Sequence, residues 1–264
     1  MNSKIIKDAQ IQLLKLTKKK FSKKYINSNI FPIIEFIVNS NNTKFLISGS
    51  QGIGKSTLIK FLKIIIEKHF KKKIMTLSLD DYYLNQNKRL KLAKKTHHLF
   101  KTRGVPGTHD IKKLKRNIDD FKNSNYPISI PIFNKLIDNI SNKIRKEKAK
   151  KNILILEGWC CGCPPLEKKF LTQNINELEK QEDKDMIWRN YFNKKLNNEY
   201  KKLFKMFEKT IFLKAPSFEF VLNWRLKQEK MDHFYNKKQI KMNKKEILYF
   251  ISHYEKITKW MIKK

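Results

Sequence analysis

The sequence predicts an α/β fold of three layers, α/β/α, with a mainly parallel sheet, a helical N-terminal extension and a helical C-terminal end. Short apolar runs recur at 43–48 (TKFLIS), 74–79 (IMTLSL), 152–158 (NILILEG) and 210–216 (TIFLKAP). Longer amphipathic stretches separate them, and strands alternating with helices imply βαβ units and a parallel sheet. The 264 residues suffice for one α/β domain with a real core, or at most two small ones. No internal repeat or flexible linker breaks the pattern. The expectation is one domain over 1–264: a helical extension at 1–40, then a core at 41–264 with a lid near 224–240.

Residues 5–24 and 31–39 read as two helices, with Pro32 suited to a first turn. TKFLIS, bounded by Asn and Gly, reads as a buried strand. A helix follows from Gly54 to about His69, with Leu58, Ile59, Phe61, Leu62, Ile65 and Ile66 as its apolar positions. IMTLSL is a second strand, and 81–101 reads as mostly helical. The Gly/Pro-punctuated loop RGVPGTHD at 103–110 ends on Asp110, a good N-cap for the next helix. YPISIPIF at 126–133 holds two prolines, so a strand there is an edge strand or a broken one. NILILEG is a buried strand, 185–207 is helical, and TIFLKAP is a strand stopped by Pro216. Helices near 217–230 and 243–262 close the chain.

Composition narrows the function classes. Hydrophobic residues are 40% of the chain, so it is neither disordered nor membrane-embedded. No apolar run approaches the ~20 residues of a membrane span. The N-terminus, MNSKIIKDAQIQLLKLTKKK, lacks the apolar core and cleavage site of a secretory signal. A cytoplasmic protein with no membrane partner is expected. The formal charge is +35, which raises the question of nucleic acid. However, lysines are spread from Lys4 to Lys264, and only six of the 59 basic residues are arginine, the residue that bidentate base contacts favour. No specific nucleic-acid partner is expected, although the charge should attract anionic substrates. Cys160, Cys161 and Cys163 lie too close together for a disulfide framework and have no second pair for a zinc site, so they read as small buried residues after a strand.

Gly49-Ser50-Gln51-Gly52-Ile53-Gly54-Lys55-Ser56, followed by Thr57, fits G-x-x-x-x-G-K-[ST] and sits between a buried strand and an amphipathic helix, as that pattern requires. Its backbone N–H groups and the helix N-terminus suit the phosphates of ATP. Lys55 can reach the β- and γ-phosphates, and the Ser56 hydroxyl can ligate Mg2+. A chance glycine turn is disfavoured, because three of the chain's seven glycines fall here. The loop alone does not choose between kinase, GTPase and ATPase. Asp80 is the first acid past the second strand, at the sheet edge where ligands bind. It can take the proton of an attacking hydroxyl, or it or Asp81 can cap the next helix; two adjacent acids allow both. Glu157 ends NILILEG in a Walker-B-like position for Mg2+ or its water, against the alternative of a strand-terminal turn residue. The other glycines lie in RGVPGTHD or just after Glu157, which suggests backbone needs that other residues cannot meet. Where lysine replaces arginine almost everywhere, Arg103 and Arg225 are candidates for planar contacts. His109 reads equally as structural or functional.

In order, these motifs resemble the P-loop kinases around uridine kinase, phosphoribulokinase and bacterial pantothenate kinase, in which an Asp-x-Phe-Tyr-like motif carries the proposed base. They look closer to the D-glycerate 3-kinase-like branch, through Gly49–Ser56, Asp80–Leu84, Arg103–Asp110, Leu156–Trp159 and Trp224–Glu229. Asn174–Glu179, Trp188-Arg189 and Tyr254-Glu255 also look like bacterial members. The resemblance covers roughly 43–260. It implies Asp80 as base and Arg225 over the transferring group. It also implies Lys55 on the phosphates, Ser56, Glu157 and Asp80 around Mg2+, and Tyr83, Arg103, His109, Asp110 and Lys135 around the acceptor. The family's Pro-x-Phe-Asp-Lys, followed by Asp and Arg, here reads Pro131-Ile132-Phe133-Asn134-Lys135 with Asp138 and no following Arg. That departure touches the acceptor's identity more than the chemistry. The implied activity is ATP- and Mg2+-dependent phosphorylation of a small hydroxyl acceptor, D-glycerate first. The alternatives are a nucleoside or pantothenate-type kinase, and a nucleotide-binding or nucleic-acid-stimulated ATPase switch. The oligomeric state is open.

Overall fold

A computed structural model describes residues 3–235 and 242–264, without the side chains of 228–235. Part of the lid expected near 224–240 therefore lies outside the described residues, as do Met1 and Asn2 of the N-terminal extension.

Among the described residues, β1 (Lys44–Gly49), β2 (Ile74–Ser78), β5 (Ile153–Gly158) and β6 (Lys209–Leu213) form a parallel sheet in the order β2-β5-β1-β6. The apolar runs follow from burial on both faces, and the period of two sorts them. Phe45, Ile47, Ile153 and Ile155 pack with Ile34, Ile37, Phe61, Leu62 and Ile65 on one face. Leu46, Leu154 and Leu156 pack with Trp159, Trp188, Phe192 and Tyr254 on the other. Register sets Glu157 beside Ile47 on one side and Ser78 on the other, so β1, β2 and β5 end in one row.

β3 (Ile128–Asn134) and β4 (Asn139–Glu147) form a separate antiparallel hairpin whose register shifts between Pro131 and Phe133. The expected edge or broken strand at 126–133 is thus one arm of a hairpin. β4 was not expected, because its sequence is polar and its side chains are mostly exposed. The hairpin is tied to the end of β2 by Phe133 N–H, which donates to Asp81 at 3.2 Å, and by the Arg145 guanidinium on Thr76 O.

The helices differ from the sequence reading where polar residues interrupt them. The first ends at Thr17 rather than near 24. It is held to the C-terminal turn of the helix Lys55–His69 by Asp8, 2.8 Å from Lys68 and 2.7 Å from His69. The stretch 81–101 is a 3₁₀ turn (Leu79–Tyr82), a helix (Gln86–Lys95) and a second turn (His98–Lys101). The helices Phe218–Tyr235 and Lys244–Lys263 close the chain, the second under a full capping box of Asn243 and Glu246. No helix of the described residues is long and apolar enough to cross a membrane. All three cysteines are buried and free.

Candidate active site

The phosphate loop joins β1 to the helix Lys55–His69, which begins after Gly54 in a left-handed conformation. Gly52 has φ +77°, and a Cβ there would lie 2.6 Å from Trp224 Cβ. Glycine is therefore required by the conformation and by the close approach of the helix Phe218–Tyr235, which carries Arg225. Lys55 Nζ donates to the carbonyls of Gly49 at 2.7 Å and Ser50 at 2.9 Å. Ser50 Oγ and Gln51 Nε2 are buried and have no partner among the described residues. A loop with unspent polar groups and a glycine-lined approach fits a polyphosphate.

Asp80 and Asp81, adjacent in sequence, do different things. Neither caps the next helix; Asn85 does, accepting from Lys88 N–H at 2.8 Å. Asp81 anchors the hairpin, and burial raises its carboxyl above the ordinary value. Asp80 is half-exposed at the sheet edge, 2.6 Å from Lys135 Nζ. Burial, the largest single influence, would raise its pKa, but Lys135, Lys55 and His109 together outweigh it, and the value falls to about 2. Glu157 accepts from Ser78 Oγ at 2.6 Å, and burial raises its pKa against the pull of Lys55. Burial lowers the pKa of Lys55, against Glu157 and Asp80. Lys55, Asp80, Lys135 and Glu157 thus sense one another as one electrostatic cluster.

A second group lines the hairpin side. Tyr83 stacks on His109 with ring centroids 4.3 Å apart and meets Phe133 edge-on. His109 Nδ1 lies 2.6 Å from the Tyr200 hydroxyl, and burial lowers its pKa to about 3, so the imidazole is neutral. The Arg103 guanidinium pairs with Asp138 and lies over the Phe133 and Phe250 rings at 5.5 and 5.8 Å. Arg225 lies 5.9 Å from the Phe250 ring, so the two arginines picked out by their rarity meet at one aromatic side chain. Gly104 has φ +146°, and a Cβ would strike the Tyr254 ring at 2.6 Å; the Tyr254 hydroxyl donates to Arg103 O at 2.9 Å. Asp110, expected at the acceptor, instead caps the helix Ile111–Lys122 through Lys113 N–H at 3.0 Å. Ser56 and Thr57 stand in the first turn of the helix Lys55–His69.

The sequence reading missed Ser78, Tyr200 and Phe250. Ser78 is legible from its place at the end of an apolar strand. Tyr200 and Phe250 lie in helical stretches where nothing separates them from other aromatic residues.

No group of three or more His, Cys, Asp and Glu side chains able to hold a metal is found among the described residues. The hard oxygen donors here are Ser56, Asp80 and Glu157. They fit Mg2+, which protein sites usually hold through one or two carboxylates together with substrate phosphates.

No family model matches the chain. It is 30% identical over 220 residues to the kinase mug58 of Schizosaccharomyces pombe, a match covering 79% of this chain and 76% of that protein. It is 27% identical over 193 residues to the chloroplastic D-glycerate 3-kinase of Arabidopsis thaliana, covering 69% of this chain and 40% of that protein. The solved structure of D-glycerate 3-kinase from Cryptococcus neoformans var. grubii superposes with a TM-score of 0.70 at 22% identity, over 98% of this chain and 89% of that one, and so shares its fold. With the phosphate loop, the parallel sheet and the match to mug58 across most of both proteins, the chain belongs to the glycerate-kinase-like P-loop kinases.

Proposed function

We propose that the protein transfers the γ-phosphoryl group of ATP to a hydroxyl of D-glycerate, giving 3-phosphoglycerate. The observation that carries this reading is the Asp80–Lys135 pair, set between the phosphate loop and the hairpin. The pair places a permanently ionised carboxylate beside a cation at the point where an anionic hydroxy acid would meet the nucleotide. Phosphoryl transfer needs positioning and charge neutralisation more than covalent chemistry. In this reading the loop backbone and Lys55 hold the phosphates, and Asp80 orients the hydroxyl and takes its proton. Lys135 and Arg103 attract the acceptor carboxylate, and Arg225 covers the transferring group. Mg2+, held by Ser56 with Glu157 and Asp80, would neutralise charge on the β- and γ-phosphate oxygens. The plant relative's name supports the acceptor.

The test is ADP production from ATP with D-glycerate, Mg2+ present or chelated, followed by identification of the phosphorylated carbon. Turnover with D-glycerate that stops on chelation is expected. Turnover only with pantothenate or a nucleoside would reassign the acceptor. Acceptor-independent hydrolysis, or stimulation by DNA or RNA, would point to a switch or an ATPase.

A further inference from the structure

The buried histidine beside Asp80 has a hydrogen-bond pattern that fixes which of its nitrogens carries the proton. The Tyr200 hydroxyl accepts from Gly107 N–H at 3.1 Å and lies 2.6 Å from His109 Nδ1. Burial pushes the Tyr200 hydroxyl well above its ordinary pKa, so it keeps its proton. With its oxygen already accepting from Gly107, that proton goes to Nδ1. Nδ1 is then an acceptor, and the neutral ring must carry its own proton on Nε2. Nε2 points to the other side of the ring from Tyr200. It is buried, His109 being 5% exposed, and has no partner among the described residues. Stacking on Tyr83 fixes the plane of the ring, and the backbone bridge between Tyr83 and His109 fixes its height. Asp80 is the charge that acts on His109, so the unpaired donor stands in the electrostatic field of that carboxylate.

We propose that Tyr200 is a positioning residue that locks His109 in the Nε2–H tautomer, and that this Nε2–H donates to an oxygen of the bound hydroxy-acid acceptor. The inference rests on the acceptor reading above and assigns a donor to it. A neutral donor holds an oxygen without drawing charge from the Asp80 carboxylate. A site built to hydrogen-bond an oxygen also disfavours molecules lacking it, because the buried donor is then left unpaired.

The experiment uses the full chain. Imidazole ¹⁵N correlation spectra report the tautomer of His109, and steady-state kinetics with D-glycerate report its use. Protonated Nε2 is expected in the wild type, with a mixed tautomer in Tyr200→Phe. In His109→Gln the amide N–H reaches the Nε2 position, so KM for D-glycerate should stay within about three-fold of wild type. In His109→Asn it reaches only the Nδ1 position, and KM should rise about ten-fold, with KM for ATP unchanged in both. Protonated Nδ1 in the wild type would overturn the tautomer assignment. Equal KM for D-glycerate in His109→Asn and wild type, or equal losses in both variants, would reduce His109 to a packing role. A wild type that shows protonated Nε2 but does not turn over D-glycerate would keep the tautomer and remove the acceptor reading.

Discussion

In the proposed mechanism Asp80 is the base, and its charge is held by its neighbour Lys135. With Lys135 at 2.6 Å its pKa is about 2, so the carboxylate is ionised at neutral pH. Lys135→Met removes the main cause that opposes burial, and the Asp80 pKa then rises. The acid limb of the kcat–pH profile should move to higher pH, so that activity at pH 5 falls relative to pH 8 more steeply than in the wild type. An unmoved acid limb would mean that Asp80 is not the group titrating. The linkage to stability has the usual sign for a depressed acid: the pair's contribution is present above the ordinary carboxylate pKa and is lost as pH falls through about 2. That contribution is small, about 0–1 kcal/mol, because Lys135 is 59% and Asp80 31% exposed. Asp80→Asn keeps the shape and removes the base. It should lower kcat by about 10²–10⁴-fold while leaving the ATP dissociation constant within a few-fold, as measured by titration calorimetry. Full turnover by this variant would remove Asp80 from the mechanism.

At the scale of elements, two junctions decide whether these residues meet. The first is the close approach of the phosphate loop and the helix Phe218–Tyr235 at Gly52. Gly52→Ala adds a Cβ that must displace Trp224 and also holds alanine at φ +77°, a conformation that costs about 1–2 kcal/mol. ATP affinity should fall at least about ten-fold, whereas alanine at an unconstrained loop position would leave it unchanged. The second is the start of the helix Lys244–Lys263, where Asn243→Ala removes one half of a capping box. The expected cost is about 1 kcal/mol, read as a melting-temperature drop of roughly 2–4 °C. The parallel sheet was legible because its strands are apolar on both faces, and the phosphate loop because its glycines stand out in a glycine-poor chain. β4 was not legible: Asn139–Glu147 packs few side chains inward, so it carries no apolar period, and only pairing with β3 makes it a strand. The helix read over 81–101 failed because Leu79–Tyr82 form a 3₁₀ turn before Asn85 caps a new helix. Rarity of arginine was a partial guide. Arg103 and Arg225 do converge on Phe250, but Arg89 and Arg189, fully buried, use the same planar fork to hold Asp138, Asp183 and backbone carbonyls.

Across the whole molecule, the proposed acceptor side depends on a charge network far from the phosphate loop in sequence. Glu179 is fully buried, with its Oε2 3.2 Å from Lys256 Nζ and 3.5 Å from Arg189 Nη1. Arg189 also holds Asp183 at 2.8 Å, and Lys256 donates to Phe170 O at 2.9 Å and Gln173 O at 2.7 Å. The network fastens the C-terminal helix, Lys244–Lys263, to the segment that follows β5. That helix presents Tyr254 to Gly104 and Arg103, and Phe250 to both arginines, so its seating fixes the wall opposite Asp80. Glu179→Ala leaves two buried cations short of a counter-charge. The cost should be about 3 kcal/mol, the low end for a broken buried pair, because Lys256 keeps two carbonyls and Arg189 keeps Asp183. Calorimetry should show a melting temperature lower by roughly 6–12 °C. Adding Lys256→Met removes one of the stranded charges, and the double variant should recover part of the loss; additive losses would mean that the two side chains do not interact. Below its melting point, Glu179→Ala should raise KM for the acceptor and leave KM for ATP unchanged, because the loop and its helix are seated by the opposite face of the sheet. An equal rise in both constants would show that the two halves of the site are coupled through the sheet rather than built independently on its two faces.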